Sequence, residues 1–368
     1  MDLEAYLDQQ RRVIQKQADR VRDFAVFDFS YVPEQPVMRD EARELIDAIL
    51  RFDVTGVPTH LAVIGSRGSG KTLVVKHLER LIPRRTKLSV QYANCRRHNT
   101  SYRILSHLLG QPHTGLSLSD LFSRFQRGAA RNRQILVLDE IDLMSPKDKR
   151  RELLYLISRS ETPVMVILLS NSPKVLDQLD AATRSSLQPV PMLFHHYNPD
   201  QLQRILDDRA RQGLREWNDA DLAEIAARTV RLANADARVA IKTLYYHVTR
   251  PEQGLAGCFD AARRDIVVDL VQDLADGNFM ILWAAATTRD DLAKAIYRRY
   301  CGFARRQHET PFSYVHFYAN LSYLQSLGLV ALVATKQDRT YTNRVQLTFD
   351  PQVVSATAKL RFPDASNT

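Results

Sequence analysis

The first half of the chain alternates short apolar runs with amphipathic helical stretches, from about residue 40 to about residue 195. Strands that are apolar throughout are typical of a parallel sheet that is covered by helices on both faces. The pattern therefore predicts an α/β fold in which strands and helices alternate. The predicted strands are Leu61 to Ile64, Leu88 to Tyr92, Ile135 to Leu138, Val164 to Leu169 and Val190 to Phe194.

The second half of the chain has a different pattern. Residues 198 to about 275 look helical, with amphipathic segments such as DQLQRILDDRA and no evident strand. From residue 276, helices lead into LGLVALVATKQDRTYTNRVQLTF, two β-rich runs separated by a polar, basic tip. Helices followed by a hairpin are typical of a winged helix. The sequence thus predicts three domains: residues 1–195, which include a basic N-terminal helix, then 196–275, and then 276–368.

Composition narrows the class of protein. The 368 residues are 45% hydrophobic and 25% charged, as in an ordinary soluble globular protein. The first residues are too charged for a signal peptide, and we expect a cytoplasmic, nucleoid-associated protein without a membrane partner. The 3 cysteines lie far apart, which argues against a disulfide framework or a zinc site. The net charge of +9 favours an anionic partner, of which nucleic acid is the commonest.

A glycine-rich loop follows the first predicted strand. The segment GSRGSGKT matches the phosphate-binding pattern G-x-x-x-x-G-K-[ST] and stands between a strand and a helix, the context that supports the motif. Backbone N–H groups and the helix N-terminus would bind phosphate oxygens. Lys71 would reach the β- and γ-phosphates, and the Thr72 hydroxyl would bind Mg²⁺. The predicted nucleotide contacts in this loop are Gly65, Ser66, Arg67, Gly68, Ser69, Gly70, Lys71 and Thr72.

Two of the later strands end in polar residues. Asp139 and Glu140 follow the apolar run Ile135 to Leu138, and parallel strands bring their carboxyl ends to one edge of the sheet. We predict that Asp139 joins Thr72 at the Mg²⁺ and that Glu140 polarises the attacking water. Asn171 ends the next strand, where its amide would orient the same water or contact the γ-phosphate.

Several further segments occur in one order and at compact spacing. They are YVPEQPVMRDEA, NCRRHNTSYRIL, VLDEID, SNSPKVLDQLDAATRSSL, YNPDQLQRILDDR, ADARVAI and NLSYLQSLGLV. As a set they resemble the archaeal-type replication initiators, which are related to the origin recognition complex subunits and the cell-division-cycle helicase loader. The resemblance spans nearly the whole chain. It implies an AAA+ P-loop ATPase with a helical lid over residues 196–275 and a C-terminal winged helix.

The resemblance also implies roles for individual residues. Arg184 would be a finger presented to a neighbouring subunit, and Arg238 would close on the γ-phosphate of its own subunit. A solvated helix arginine is the alternative for both. Arg39 and Tyr197 would lie near the adenine. Asp142, the last acid of the DEID signature, would have a structural role beside the site.

The chain departs from the family pattern at three places. Ala181 and Ala182 stand where the family often has Pro-Arg, which removes a basic residue near Arg184. Ala235 stands where glycine often precedes Asp-Ala-Arg. The hairpin tip TKQDRTYTNR lacks the glycines that are frequent there but keeps its basic residues.

The C-terminal segment carries most of the predicted DNA contacts. Residues 276–368 contain eleven basic and seven acidic residues, a surplus of four. The helix SYVHFYANLSYLQSLG has an apolar face formed by Phe317, Leu321 and Leu324; its polar face comprises Ser313, His316, Asn320 and Tyr323. This polar face would meet bases or phosphates, or serve instead as a protein dock. The predicted DNA-binding residues are Arg96 and Arg97, in the insertion after Cys95, and His316, Asn320, Lys336, Arg339 and Arg344.

The resemblance implies binding of double-stranded DNA at replication origins in an ATP- or ADP-bound state. We therefore interpret the chain as an origin-binding initiator that helps to load the replicative helicase, with slow, Mg²⁺-dependent ATP hydrolysis as a switch and self-association on DNA. One alternative is an ATPase of a mobile element or defence system that loads a transposase or nuclease. Another is a winged-helix transcription regulator whose nucleotide is a permanent structural ligand.

Overall fold

The computed structural model describes residues 2–110, 115–145, 148, 151–172, 174–337 and 340–363. The chain divides into two compact units. One, the sheet unit, comprises residues 28–205 and 235–237, and the other, the helical unit, comprises residues 1–27, 206–234 and 238–368. The three domain boundaries expected from the sequence stay predictions.

The secondary structure follows the alternation seen in the sequence. The helices and strands of the first half are α1 (Leu3–Ala18), α2 (Asp40–Thr55), β1 (Leu61–Gly65), α3 (Lys71–Arg85), β2 (Ser89–Asn94), α4 (Ser101–Leu108), α5 (Leu118–Arg131), β3 (Gln134–Asp139), α6 (Glu152–Ser158), β4 (Val164–Ser170), α7 (Ala181–Leu187) and β5 (Val190–Phe194). Those of the second half are α8 (Pro199–Gly213), α9 (Asp219–Leu232), α10 (Ala237–Thr249), α11 (Gly254–Gln272), α12 (Asp276–Thr287), α13 (Ala293–Arg306), α14 (Tyr314–Ser326), β6 (Val330–Gln337), β7 (Thr340–Leu347) and α15 (Pro351–Arg361).

The strands of the sheet unit form one parallel sheet in the order β2-β3-β4-β1-β5. The register places Leu61 of β1 opposite Ile167 of β4 on one side and opposite Val190 of β5 on the other. All five strands predicted from the apolar runs are confirmed, with ends that agree or differ by at most two residues. Because β1 occupies an inner position, the loop that follows it lies between the ends of its neighbours, as expected for a ligand site of an α/β sheet.

Alternate residues of the inner strands pack on opposite faces of the sheet. Ile135 and Val137 of β3 lie in a core with residues of α2 and α3. Leu136 and Leu138 lie in a second core with residues of α4, α5 and α6. Every residue of β3 and β4 is buried, which explains why these strands read as continuous apolar runs rather than as alternating ones.

Capping residues stand at the ends of several helices. α5 starts with a capping box, in which the Ser117 hydroxyl accepts from the Asp120 N–H while the Asp120 carboxylate accepts from the N–H of Ser117. α7 is capped by Asp180, whose carboxylate accepts from two backbone N–H groups of the first turn. α2 is followed by Gly56, whose left-handed φ of 74° suits a residue without Cβ.

The helical unit has a continuous core around α12. Phe279 and Trp283 of α12 are buried with Phe303 of α13 and Phe317 of α14. The Trp283 and Phe303 rings stack with centroids 4.1 Å apart. β6 and β7 follow α14 as an antiparallel hairpin, with Val330 opposite Leu347. The hairpin predicted from the sequence is confirmed, and helices followed by this hairpin have the arrangement of a winged helix.

Residues beyond α1 attach to the end of α8. Val21 forms an antiparallel bridge with Leu214, and the Arg22 N–H donates to the Gly213 carbonyl over 2.7 Å. The Arg209 guanidinium donates to the Val26 carbonyl. These contacts place the N-terminal residues in the helical unit. Within the described part of the chain, none of the helices has the length and apolar character needed to cross a membrane.

Candidate nucleotide-binding site

The glycine-rich loop links the end of β1 to the start of α3. Gly68 and Gly70 have φ values of 71° and 89°, in the left-handed region that favours glycine. A Cβ on Gly70 would overlap the Tyr197 hydroxyl, and one on Gly68 would overlap the Asp236 carboxylate. Glycine is thus needed at both positions for conformation and for space, which leaves the loop backbone closely surrounded.

Residues 235–237 pack directly on this loop. The Ala237 N–H donates to the Gly68 carbonyl over 3.4 Å. Ala235 is buried and has a φ of 52°, so an alanine adopts here a conformation that costs about 1–2 kcal/mol for a residue with Cβ. This backbone conformation gives a physical reason for the glycine that the family often has at this position.

The Lys71 ammonium lies at the mouth of the loop and is buried. It donates to the carbonyls of Gly65 and Ser66 over 2.7 and 2.8 Å and to the Asn171 side-chain oxygen over 3.0 Å. Two residues predicted to contact the nucleotide phosphates, Lys71 and Asn171, are therefore in direct contact. Their meeting follows from the sheet order, because β4 lies next to β1.

The Asp139 carboxylate lies at the end of β3 and is 3% exposed. It accepts hydrogen bonds from the Thr72 hydroxyl over 2.9 Å and from the Tyr92 hydroxyl over 2.7 Å. Burial raises the pKa of this carboxyl, while the hydrogen bonds from Tyr92 and Thr72 oppose the rise. A buried carboxylate beside a hydroxyl offers hard oxygen ligands of the kind that Mg²⁺ prefers, so these residues fit the predicted ion.

Glu140 adopts a left-handed conformation with a φ of 52°. Its carboxylate accepts hydrogen bonds from Arg96 Nε over 3.1 Å and from the Asn94 side-chain amide over 3.2 Å. A non-glycine residue in this region is uncommon and occurs often at functional sites. The predicted water-polarising acid is thus held by two groups from the end of β2, one of which, Arg96, was predicted to contact DNA.

Releasing Glu140 from this ion pair should raise basal ATP turnover. We expect Arg96→Ala to increase the turnover rate by up to about fivefold, because a half-exposed ion pair holds a side chain by up to about 1 kcal/mol. Steady-state phosphate release without DNA measures it. The control is Arg97→Ala, which removes an exposed arginine from the next position. A fall in turnover in Arg96→Ala would instead mean that Arg96 holds Glu140 in its working position.

Sequence reasoning missed Tyr92 and Asn94 as members of this site. Both lie in β2, which pairs in parallel with β3, so that Asn94 stands opposite Asp139. The Lys76 ammonium lies 3.3 Å from the centre of the Tyr92 ring. The signal that could have found them is a pair of polar residues at the carboxyl end of a predicted strand. Asp142, in turn, accepts a hydrogen bond from the Ser170 hydroxyl over 2.6 Å, which agrees with the structural role expected of it.

Arg39 and Tyr197 form a buried pair against the glycine-rich loop. The Arg39 guanidinium lies 4.5 Å from the centre of the Tyr197 ring. It donates to the Ser69 carbonyl over 2.7 Å and to the His195 carbonyl over 2.8 Å, and it pairs with Glu41 at 2.8 Å. The two residues predicted to lie near the adenine are thus adjacent to each other and to the loop, while the adenine contact itself stays a prediction.

The two predicted arginine fingers lie in different units. Arg184 of α7 is in the sheet unit, where its half-exposed side chain pairs with Asp177 at 3.3 Å. Such an exposed pair is weak, which leaves the guanidinium available for another partner. Arg238 is in the second position of α10, in the helical unit. The finger roles of both residues stay predictions.

The predicted DNA contacts of the helical unit are partly engaged within the chain. The His316 ring stacks on Phe312 with centroids 4.5 Å apart. The Asn320 amide donates to the His316 carbonyl over 2.8 Å, and Arg344 lies 3.7 Å from Asp291. Lys336 is exposed, and Arg339 lies outside the described residues.

Comparison with known proteins shows that this chain is similar to several DNA replication proteins. The family described as AAA domain matches residues 55–179. The ORC1-type DNA replication protein 1 of Sulfolobus acidocaldarius is 31% identical over 243 residues, which are 61% of this chain and 60% of that protein. An ORC1-type DNA replication protein of Methanothermobacter thermautotrophicus is 27% identical over 293 residues, 75% of this chain and 79% of that protein. The first of these matches spans less than two thirds of the relative's length.

Solved structures extend the likeness to nearly the whole chain. The structure of the Aeropyrum pernix ORC1 protein in complex with DNA has 26% identity and a TM-score of 0.67, and the match covers 93% of this chain and 97% of that one. The Aeropyrum pernix ORC2 protein, solved in ADPNP-ADP complexes, shares the fold with a TM-score of 0.62 at 20% identity, over 94% and 100% of the two chains. The predicted AAA+ fold class is confirmed, and the matched AAA domain indicates an ATPase.

Proposed function

We propose, on the premise that this chain belongs to the AAA+ family of the origin-recognition and cell-division-cycle (Orc/Cdc) type, that it is an ATP-dependent initiator of DNA replication. It binds double-stranded DNA at a replication origin and helps to load the replicative helicase. The observation that carries the proposal is that Asn171 and Asp139 contact Lys71 and Thr72 at the end of the glycine-rich loop. The relatives of this chain are replication proteins.

ATP or ADP is the proposed ligand of the loop. Lys71 exchanges its carbonyl partners for β- and γ-phosphate oxygens, and the backbone N–H groups of the loop and the first turn of α3 bind the remaining oxygens. Mg²⁺ is the proposed ion, held by Thr72 and Asp139, and when bound it neutralises phosphate charge. Arg39 donates to the backbone of the loop and packs on Tyr197, and both residues line the expected place of the adenine.

Slow hydrolysis of ATP is the proposed switch between DNA-bound states. Glu140 polarises the attacking water, and Asn171 holds that water or the γ-phosphate without adding charge. In the structure Glu140 is paired with Arg96, so the acid must leave that pair before it can act on a water. This requirement offers a physical reason for slow turnover. Arg184 acts on a neighbouring subunit during self-association, and Arg238 acts on its own.

The proposed DNA contacts combine the winged helix with the insertion after Cys95. Helix α13 is strongly basic, and α14 and the hairpin add His316, Lys336 and Arg344. Arg96 and Arg97 are exposed at the end of β2. Such cations bind phosphates, which fix orientation on the duplex but do not read sequence. The proposal is tested by footprinting the full-length protein on DNA that flanks its gene, with and without ATP.

Hairpin cations should contribute to DNA affinity through counterion release. Replacing Lys336 and Arg344 together with alanine should lower the slope of log K against log salt concentration by about 0.9 for each phosphate that the protein no longer neutralises. The weakening should be similar for different duplex sequences. Binding isotherms at several salt concentrations measure it, with Arg231→Ala, an exposed arginine of α9, as control. An unchanged slope would place the phosphate-binding cations elsewhere in the chain.

A further inference from the structure

The first turn of α14 presents a large apolar side chain to solvent. Val315, the second residue of the helix, is 81% exposed. Phe317, Leu321 and Leu324 of the same helix are completely buried. Since a helix turns by about 100° per residue, Val315 lies on the side of the axis opposite this buried row. It therefore lies outside the polar face predicted from the sequence to meet DNA.

Small side chains lie next to Val315 along this side of α14. Ala319, one turn further along the same side, is exposed and small, and Ser322 follows at the next turn. Tyr318, three residues after Val315, flanks this side of the helix, but it is half-buried and its ring packs against that of Tyr314. A helix with such a face can enter a groove closely, with Val315 as its most prominent contact.

The positive charge of the neighbouring helix α13 favours a polyanionic partner for this side of α14. Tyr297 of α13 joins the two helices, since its hydroxyl donates to the Phe312 carbonyl over 2.9 Å and its ring meets that of Tyr314 at 5.0 Å. α13 carries five exposed cations and no acid, and α14 has no acid either. The cations are Lys294, Arg298, Arg299, Arg305 and Arg306.

The polar residues of α14 are less free to read bases. Asn320 uses its amide within the helix, and His316 stacks on Phe312, as described above. Base edges of the major groove offer one apolar group, the C5-methyl of thymine, which apolar side chains contact. In helix-turn-helix proteins the N-terminal residues of the recognition helix make the base contacts. Val315 occupies that position.

We propose that Val315 reads the methyl group of a thymine in the major groove of bound DNA. The inference rests on the proposed DNA-binding function and adds to it a residue that determines sequence preference. The cations of α13 supply affinity without sequence preference, and Val315 supplies part of the preference.

The test uses the full-length protein and a duplex selected by it from a random-sequence pool. Each thymine is replaced singly by uracil, which pairs identically but lacks the C5-methyl group. We expect one or two replacements to weaken wild-type binding by about fourfold each, the value of one buried methyl group. Val315→Ala should bind the thymine duplex about as weakly and should no longer distinguish thymine from uracil at those positions.

Leu360→Ala serves as the matched control, because Leu360 is a 79% exposed apolar residue of α15. This variant should keep the wild-type response to uracil. A thymine preference that persists in Val315→Ala would overturn the inference, and so would a wild-type protein that binds duplexes without any response to uracil or without selecting a sequence. A wild-type protein that binds no duplex would overturn the proposed function as well.

Discussion

Glu140→Gln should bind ATP with wild-type affinity and hydrolyse it at least about 100-fold more slowly, the usual contribution of a positioned general base. Glutamine keeps the size of the side chain and can still accept a hydrogen bond from Asn94 or Arg96, so the surroundings should stay intact. It cannot take a proton from water. Single-turnover hydrolysis and binding of a fluorescent ATP analogue measure the two effects separately.

Lys71→Ala should behave in the opposite way and lose nucleotide binding itself, because its buried ammonium places a positive charge at the mouth of the loop. Glu152→Gln, at an exposed acid that begins α6, is the matched control for the Glu140 variant and should hydrolyse ATP normally. Wild-type turnover by Glu140→Gln would show that another group activates the water.

Arg184→Ala should bind ATP normally and fail to stimulate hydrolysis in a neighbouring subunit. An arginine supplied to a phosphoryl-transfer site accelerates it by about 10³-fold or more, so hydrolysis by subunits assembled on DNA should fall to the rate of a single subunit. The half-exposed guanidinium, paired with Asp177, agrees with a role outside its own subunit. Arg127→Ala, at an exposed arginine of α5, should leave the rate of the assembled subunits unchanged.

A mixing assay decides whether Arg184 acts in trans. Arg184→Ala subunits keep an intact site but lack the finger, whereas Glu140→Gln subunits keep the finger but lack the general base. Mixed on DNA, the two inactive variants should recover part of the wild-type turnover. No recovery, together with loss of ATP affinity by Arg184→Ala alone, would assign the arginine to its own site.

The sequence by itself determined the elements and the chemistry that is local along the chain. Strands such as Ile135 to Leu138 could be predicted because a strand buried on both faces must be apolar at every position. The glycine-rich loop could be predicted because its chemistry depends on residues within eight positions of one another. The hairpin of β6 and β7 is likewise a local structure, in which each strand pairs with its sequence neighbour.

Residues that meet across the chain were predicted only where a motif or a polar strand end pointed to them. Lys71 and Asn171 are 100 positions apart, and both had been assigned to the phosphates before the sheet order placed them together. Tyr92 and Asn94 also stand at a strand end, but nothing in the sequence paired that strand with β3. Their contacts with Asp139 and Glu140 exist because β2 is the neighbour of β3, and strand order is a property of the folded sheet that apolar periodicity does not encode.

The tertiary structure alone decided which surfaces remain free. Arg96 looked like an available cation in the sequence, but folding places it on Glu140. The helical spacing of α14 predicted a polar DNA-facing row, and burial of Phe317, Leu321 and Leu324 leaves a second side of the helix, with Val315 and Ala319, exposed as well. Residues 1–27 join the helical unit through pairing with Gly213 and Leu214, about 190 positions away. Each outcome depends on long-range packing, which selects among several faces and partners that the local sequence permits equally.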